Sequence, residues 1–329
     1  MDKKDLRIIF MGTPDFAVGS LKVLLEGNYN VVAVVTMPDK AVGRHASVLQ
    51  ASAVKQYAVA HQIPVLQPER LKDTQILDEL RAFHADLQVV VAFRMLPEIV
   101  WSMPRFGTFN VHAALLPQYR GAAPINWAII HGEKQTGVTT FFLDKDIDTG
   151  RIIRQKTFEI PFDANAEYVH DGLMTLGATL CRETIDLILA NDGDIDTIAQ
   201  DDIAVPEGKL HAAPKIFKET CEINWHQSAV NIHNFVRGLS PYPGAWAALA
   251  DENGKVVKIF ATKPTDNACE ATAGSIRESD GKLYVATADC WLEILSLQLA
   301  GKKRMEAHDF LNGSHLDGHC FSSSENLFT

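Results

Sequence analysis

The sequence predicts a two-domain α/β protein, with a parallel sheet in its first half and a small antiparallel β-barrel in its second. Three observations predict it. Residues 6–36 read strand, turn, helix, strand, and the first strand is a continuous apolar run, as in a sheet buried on both faces. Residues 191–209 are polar and hold little that could be core, which suits a linker. Beyond residue 245 come short alternating strands separated by turns at 251–254 and 278–281. A chain of 329 residues exceeds the usual single domain. The expected boundaries are therefore 1–190, a linker over 191–209, and 210–329.

Taken in order, residues 6–11 form the first strand, turning at Gly12-Thr13-Pro14, and 16–26 carry helical spacing before a second strand at 31–36. The turn holds Gly12 and Gly19 but no G-x-G-x-x-G, which argues against a dinucleotide site. Residues 37–52 have little periodicity and make a long connection, either functional or a plain surface excursion. Helices are expected at 53–61 and 73–83, and an all-apolar strand at 86–92. Phe93-Arg94-Met95-Leu96-Pro97 leaves that strand's carboxyl end, where open α/β sheets bind ligands.

The stretch 109–117 begins as a strand and breaks at Pro117, and Pro124 then opens a helix to about 131. Residues 137–143 are a strand, followed by Asp144-Lys145-Asp146-Ile147-Asp148-Thr149-Gly150. A calcium loop of the EF-hand kind needs glycine sixth and glutamate twelfth; Thr149 and Gln155 stand there instead. A strand at 151–160 and a long amphipathic helix at 166–190 complete this half. In the second half, 216–239 reads as helix interrupted near Asn224, with Ser228 as an N-cap. Residues 313–329 are polar and serine-rich and are expected to fray.

Composition narrows the classes. With 47% hydrophobic and 22% charged residues the chain reads as an ordinary soluble globular protein. It shows neither a signal-peptide pattern nor a membrane-length apolar run. Five cysteines without a CxxC pair fit reduced thiols and a cytoplasmic setting. A net charge of −10 argues against a generic nucleic-acid coat, so an RNA partner requires local basic patches. His308, His315, His319 and Cys320 have irregular spacing, and no metal site is expected.

The chemistry centres on Asn110 and His112, which share one strand face, and on Asp148. An amide can donate to an oxyanion, an imidazole can donate or shuttle a proton, and a carboxylate can orient the imidazole. If the strands share a carboxyl edge, the three converge. With no G-x-S-x-G elbow, direct transfer between two bound substrates is favoured over a covalent intermediate. On the residues alone a second reading stands: an amide and a histidine that merely satisfy backbone groups, with Asp148 a turn former.

Asn110-Val111-His112, Leu115-Leu116-Pro117, Arg120-Gly121-Ala122-Ala123-Pro124 and Asp148-Thr149-Gly150 together resemble the formyltetrahydrofolate-dependent formyltransferases. Gly12-Thr13-Pro14-Asp15-Phe16-Ala17, Arg237-Gly238-Leu239 and Gly301-Lys302-Lys303-Arg304-Met305 extend the resemblance over most of the chain, toward the branch that acts on charged initiator tRNA. The resemblance implies a Rossmann-like catalytic domain and an OB-like carboxyl-terminal domain. It implies 10-formyltetrahydrofolate as donor, without a metal, and the α-amine of methionyl-initiator tRNA as acceptor. It makes Asn110, His112 and Asp148 catalytic. It sets the folate against Ala114, Leu115, Leu116 and Pro117, with Phe93, Arg94, Met95 and Leu96 on the pterin side. The tRNA would meet Arg44, Lys209, Lys215, Lys218, Lys302, Lys303 and Arg304. Ala114 stands where relatives often carry serine, so weaker folate binding is expected. Arg44 is followed by His45-Ala46-Ser47 rather than by further basic residues, which thins the loop's charge for phosphate contact. The expected protein is a monomer with no membrane partner. The rivals are a formyltransferase for a sugar amine or glycinamide nucleotide, and a non-catalytic folate- or RNA-binding module.

Overall fold

The computed structural model describes residues 2–42, 48–205, 210–251 and 254–322. Two compact units emerge: residues 1–121, 135–159 and 170–212 form the first, and 122–134, 160–169 and 213–329 the second.

The first unit is built on β1 (Arg7–Gly12), β2 (Asn30–Val35), the hairpin β3 (Lys40–Val42) and β4 (Val48–Gln50), β5 (Val65–Leu66), β6 (Leu87–Val91), β7 (Thr108–His112), the short β8 (Arg120–Gly121), β9 (Gln135–Phe142) and β10 (Ile152–Glu159). Helices α1 (Asp15–Glu26), α2 (Ala53–Ala60), α3 (Thr74–Ala82) and α4 (Glu98–Trp101) connect its strands. The main sheet runs β10-β9-β7-β6-β1-β2-β5. Its central strands β1 and β6 are buried along their length apart from Arg7 at the start of β1, as their apolar runs require. From β7 to β5 the strands are parallel, whereas β9 is antiparallel to both β7 and β10. The connection 37–52, read from sequence as loop, contains the β3–β4 hairpin. Its residues Val48 and Leu49 are exposed, so no buried alternation marked it. Ser52 caps α2, accepting from the Lys55 backbone N–H.

The second unit contains α5 (Pro124–Ile130), the start of α6 (Ala166–Ala190), α7 (Ala229–Leu239), β12 (Ala245–Ala248), β13 (Val256–Ala268), β14 (Ile276–Ser279), β15 (Lys282–Ala286), β16 (Cys290–Leu299), β17 (Met305–Glu306) and α8 (Ala307–Leu311); the short β11 (Ala212–Ala213) falls where the chain passes from the first unit to the second. The division is therefore not contiguous, unlike the 1–190 and 210–329 expected, and the packing explains why. A Cβ at Gly238 would lie 2.7 Å from Ile130 Cγ1 and 3.1 Å from Asn126 O, so only glycine lets α7 approach α5 this closely. Asn126 Nδ2 donates to Gly238 O at 2.7 Å, and Trp127 Nε1 to Pro214 O at 2.8 Å. Residues 160–169 are held by Arg237 Nη1, which donates to Ala164 O at 2.8 Å, and by His233, stacked on Phe162. Burial pushes the His233 pKa below its ordinary value. Ser228 caps α7, accepting from Asn231 N.

The sheet order β12-β13-β16-β15-β14 leaves β12 and β14 as its two edges. The carboxyl-terminal stretch fills the gap between them. Ser322 N donates to Ala248 O and Ala250 N to Cys320 O, both at 2.8 Å; Phe321 N donates to Gly274 O at 2.8 Å and Ile276 N to His319 O at 2.9 Å. Both edges are thus satisfied and the sheet closes into a barrel. For residues 313–322 this corrects the expectation of a frayed tail over 313–329; residues 323–329 lie outside the described residues. Leu316 is buried, and Phe321, 3% exposed, stacks on the fully buried Trp225 with ring centroids 5.4 Å apart. Two apolar residues amid serines and histidines sufficed to anchor it. Phe321→Ala is expected to destabilise this unit by about 3 kcal/mol, read as a shifted denaturant midpoint with Trp225 fluorescence; an unchanged midpoint would refute the closing role.

Among the described residues, no helix is long and apolar enough to cross a membrane, and no group of three or more His, Cys, Asp or Glu could hold a metal ion.

Candidate active site

β7 presents Asn110 and His112 on one face, near its carboxyl end. His112 is 6% exposed, with the Phe141 ring edge-on at 6.4 Å between centroids. Its Nε2 lies 2.9 Å from Tyr119 O and its Nδ1 3.7 Å from Asp148 Oδ2. Both neighbours are acceptors, so a doubly protonated ring can serve both and a singly protonated ring only one. Asp148 Oδ2 also accepts from Gly121 N at 3.0 Å. Asn110 Oδ1 is buried and has no hydrogen-bond partner. A buried amide oxygen normally finds a partner, so this acceptor is one whose hydrogen bonding the surrounding protein leaves incomplete.

The three residues converge, but not by the expected route. Because β9 runs antiparallel to β7, Phe142 at its end faces Phe109 rather than His112. Asp148 instead returns on the connection between β9 and β10, with φ of +56°. That left-handed conformation is one that aspartate tolerates better than most residues. Tyr119, at φ +59°, is a second left-handed residue, and its ring stacks on His211 while its N–H donates to His211 O.

The segment expected to wall the folate is mostly closed. Ala114, Leu116 and Pro117 are buried and Leu115 is half-buried. Two residues that sequence reading missed hold it. Thr139 Oγ1 donates to Ala114 O at 2.6 Å and accepts from Leu116 N at 3.1 Å; Gln155 Nε2 donates to Leu116 O at 2.8 Å. Those backbone groups are therefore committed inside the protein. The Ala114 side chain is fully buried, so a serine hydroxyl there would sit in the interior rather than on an open wall. Ala114→Ser is accordingly expected to change the folate Kd by less than about twofold, measured by fluorescence titration; a tenfold tightening would show that the hydroxyl reaches the ligand.

On the expected pterin side, Phe93 and Leu96 belong partly to the core, whereas Met95 is 69% exposed. Arg94 donates to Pro68 O and Glu69 O at 2.6 and 2.8 Å and holds that loop. Its buried Nε has no partner, and burial lowers its pKa from the ordinary value.

Arg44 and Lys209 lie outside the described residues. Lys215, Lys218, Lys302, Lys303 and Arg304 are exposed. The fold brings Lys218 and the turn at Gly301, far apart in sequence, to the rim of one cavity of about 550 Å³ whose lining includes Trp246, Lys258 and Gln298. Lys215 sits over the exposed Phe217 ring, and Arg304 over Phe260 at 4.5 Å. His315 pairs with Glu278 at 2.9 Å.

Chemically, the site offers an amide, an imidazole and a carboxylate. Burial pushes the Cys181 thiol up to about 12 and the Cys221 thiol up to about 11, so neither supplies a thiolate nucleophile at neutral pH. An arrangement with donors and a proton acceptor suits transfer of an acyl group directly between two bound molecules.

The similarities to known proteins point to transfer of a formyl group. Residues 6–185 match the family model described as formyl transferase, and 215–315 that of the formyl transferase carboxyl-terminal domain. The methionyl-tRNA formyltransferase of Parabacteroides distasonis is 60% identical over 95% of this chain and 97% of that protein. The methionyl-tRNA formyltransferase of Flavobacterium johnsoniae is 48% identical over 94% of this chain and 96% of that protein. Among solved structures, the sugar 3N-formyl transferase WlaRD superposes with a TM-score of 0.64 at 21% identity, covering 91% of this chain and 99% of that one. HypX from Aquifex aeolicus, in complex with tetrahydrofolic acid, gives a TM-score of 0.60 at 19% identity, covering 97% of this chain and 51% of that one.

Proposed function

The chain belongs to the methionyl-tRNA formyltransferase family, and from that premise we propose that it transfers the formyl group of 10-formyltetrahydrofolate to the α-amine of methionyl-initiator tRNA, with Asn110, His112 and Asp148 as its catalytic residues. The observation that carries the assignment is a buried imidazole whose two nitrogens face Tyr119 O and the Asp148 carboxylate, on the strand that also carries Asn110.

The acceptor amine must be neutral to attack, and an α-amine titrates near ~8. Esterification of the neighbouring carboxyl makes it more acidic still, so little help is needed from the protein. Attack on the formyl carbon forms the new C–N bond and leaves an oxyanion. Asn110 donates to that oxygen. His112 donates as well, exchanging the Tyr119 carbonyl for the substrate oxygen. Each such donor is worth roughly 3–4 kcal/mol in the transition state. Asp148 keeps the imidazole oriented and receives the proton shed by the amine. As the bond to N10 breaks, that nitrogen takes the proton Asp148 received, and the products are N-formylmethionyl-tRNA and tetrahydrofolate.

Leu115 and the exposed Met95 are the side chains best placed to touch the folate. Lys215, Lys218, Lys302, Lys303 and Arg304, with Arg44 and Lys209, supply the local basic surface that an RNA partner of a net acidic protein requires. The protein acts as a monomer in the cytoplasm.

The test is formyl transfer from 10-formyltetrahydrofolate to charged initiator tRNA, free methionine and an amino sugar, assayed in parallel. Transfer to the tRNA alone is expected. Transfer to the sugar but not to the tRNA would overturn the acceptor.

A further inference from the structure

We propose that Gln200 is a positioning residue of the active site, clamping the turn that carries Asp148 and the loop that carries Gly121. The proposal rests on the formyl-transfer reading above. It assigns a role within the polar stretch 191–209, which from sequence alone is linker.

The hydrogen bonds of Gln200 carry the argument. A side-chain amide has two donors and an oxygen with two lone pairs, and here all four are used. Nε2 donates to Asp148 O and to Gly150 O, each at 2.8 Å. Oε1 accepts from Arg120 Nε at 3.0 Å and Nη2 at 2.7 Å. Exchanging the amide's oxygen and nitrogen would oppose like groups at all four contacts, so the orientation is fixed by its surroundings. Gln200 is 4% exposed. Its segment is anchored by Ile198, which exchanges backbone hydrogen bonds with Ile152 at the start of β10.

The two things Gln200 grips are the two that place the Asp148 carboxylate. One is the aspartate's own left-handed backbone. The other is the loop through Arg120 to Gly121, whose N–H holds Oδ2. The residue must also be neutral. A glutamate would keep Arg120 but turn oxygens toward two carbonyls, and would set a second negative charge beside Asp148.

Loss of this clamp lets the carboxylate drift from His112. Misplacement of a catalytic group by about 1 Å costs on the order of 100-fold in rate. The loss falls on kcat, because Gln200 is 4% exposed and all its hydrogen-bonding positions are taken within the protein.

The experiment compares Gln200→Met, Gln200→Glu, Asp148→Asn and the Gln200→Met/Asp148→Asn double variant in the full-length protein. It reads kcat, both KM values, the pH dependence of kcat and thermal unfolding. Both Gln200 variants are expected to lose on the order of 30- to 100-fold in kcat with KM within about twofold. Their pH profiles should match that of Asp148→Asn, and the double variant should be no slower than Asp148→Asn alone. Wild-type kcat and pH profile in Gln200→Met, additive losses in the double variant, or losses that track only a lowered unfolding temperature would each overturn the proposal. If Asp148→Asn itself turns over at the wild-type rate, the active-site reading falls and this inference with it. If Asp148→Asn is slow and Gln200→Met is normal, only this inference falls.

Discussion

Alanine in place of His112 is expected to slow formyl transfer on the order of 100- to 1,000-fold, and Asn110→Ala to slow it about 100-fold. The size follows from where each group sits. Asn110 stands on the same β7 face as His112, where its Nδ2 is the group that donates to the oxyanion. His112 is almost fully enclosed, where a hydrogen bond to developing charge is stronger than in water. It also loses more on truncation, because Asp148 Oδ2 at 3.7 Å then keeps only its Gly121 N–H contact. Both variants should bind folate with nearly unchanged Kd and unfold within a few degrees of the wild type. Single-turnover transfer measures the chemical step directly. Turnover near the wild-type rate in His112→Ala would remove the imidazole from the reaction.

Gly150→Ala is expected to damage the first unit and the chemistry together. A Cβ at residue 150 would lie 1.7 Å from Phe142 O, which is backbone and cannot swing aside. Either the end of β9 or the Asp148 turn must move. Overpacking of this kind costs about 1–3 kcal/mol and often more against backbone. Because Gly150 O is also one of the two carbonyls gripped by Gln200, the shift carries Asp148 with it. The expected result is an unfolding temperature lower by roughly 5 °C or more, with kcat at 25 °C reduced beyond what the unfolded fraction explains. A variant with normal kcat and melting would mean that the turn is not constrained as described.

The parts of this fold that were legible in the sequence are those whose burial is continuous or periodic. β1 and β6 are largely apolar, β7 alternates Phe109 and Val111 with Asn110 and His112, and the break at Pro117 and the helix start at Pro124 follow from proline's own geometry. Asn110 and His112 were legible as a pair because two residues on a strand share a face. What did not show has equally physical reasons. The β3–β4 hairpin exposes Val48 and Leu49, so alternation carried no burial signal. The antiparallel placement of β9 depends on its partner, not on its own composition. Thr139, Gln155 and Gln200 act through hydrogen bonds to residues 16 or more positions away, and a polar residue gives no local sign of that. The barrel-closing tail was hidden by composition: Leu316 and Phe321 are the apolar minority in a stretch dominated by serine, histidine and glycine. In each case the missing information was a contact, and contacts are what tertiary structure adds.

The central claim is that formyl transfer to methionyl-initiator tRNA takes place at Asn110, His112 and Asp148. It is tested most directly by one single-turnover comparison using labelled 10-formyltetrahydrofolate and charged initiator tRNA. Wild-type protein and the Asn110→Ala/His112→Ala double variant are run side by side, each at saturating folate. Labelled N-formylmethionyl-tRNA is expected from the wild type and a rate lower by at least about 1,000-fold from the double variant, with the two proteins equally folded. Equal rates from the two proteins would contradict it.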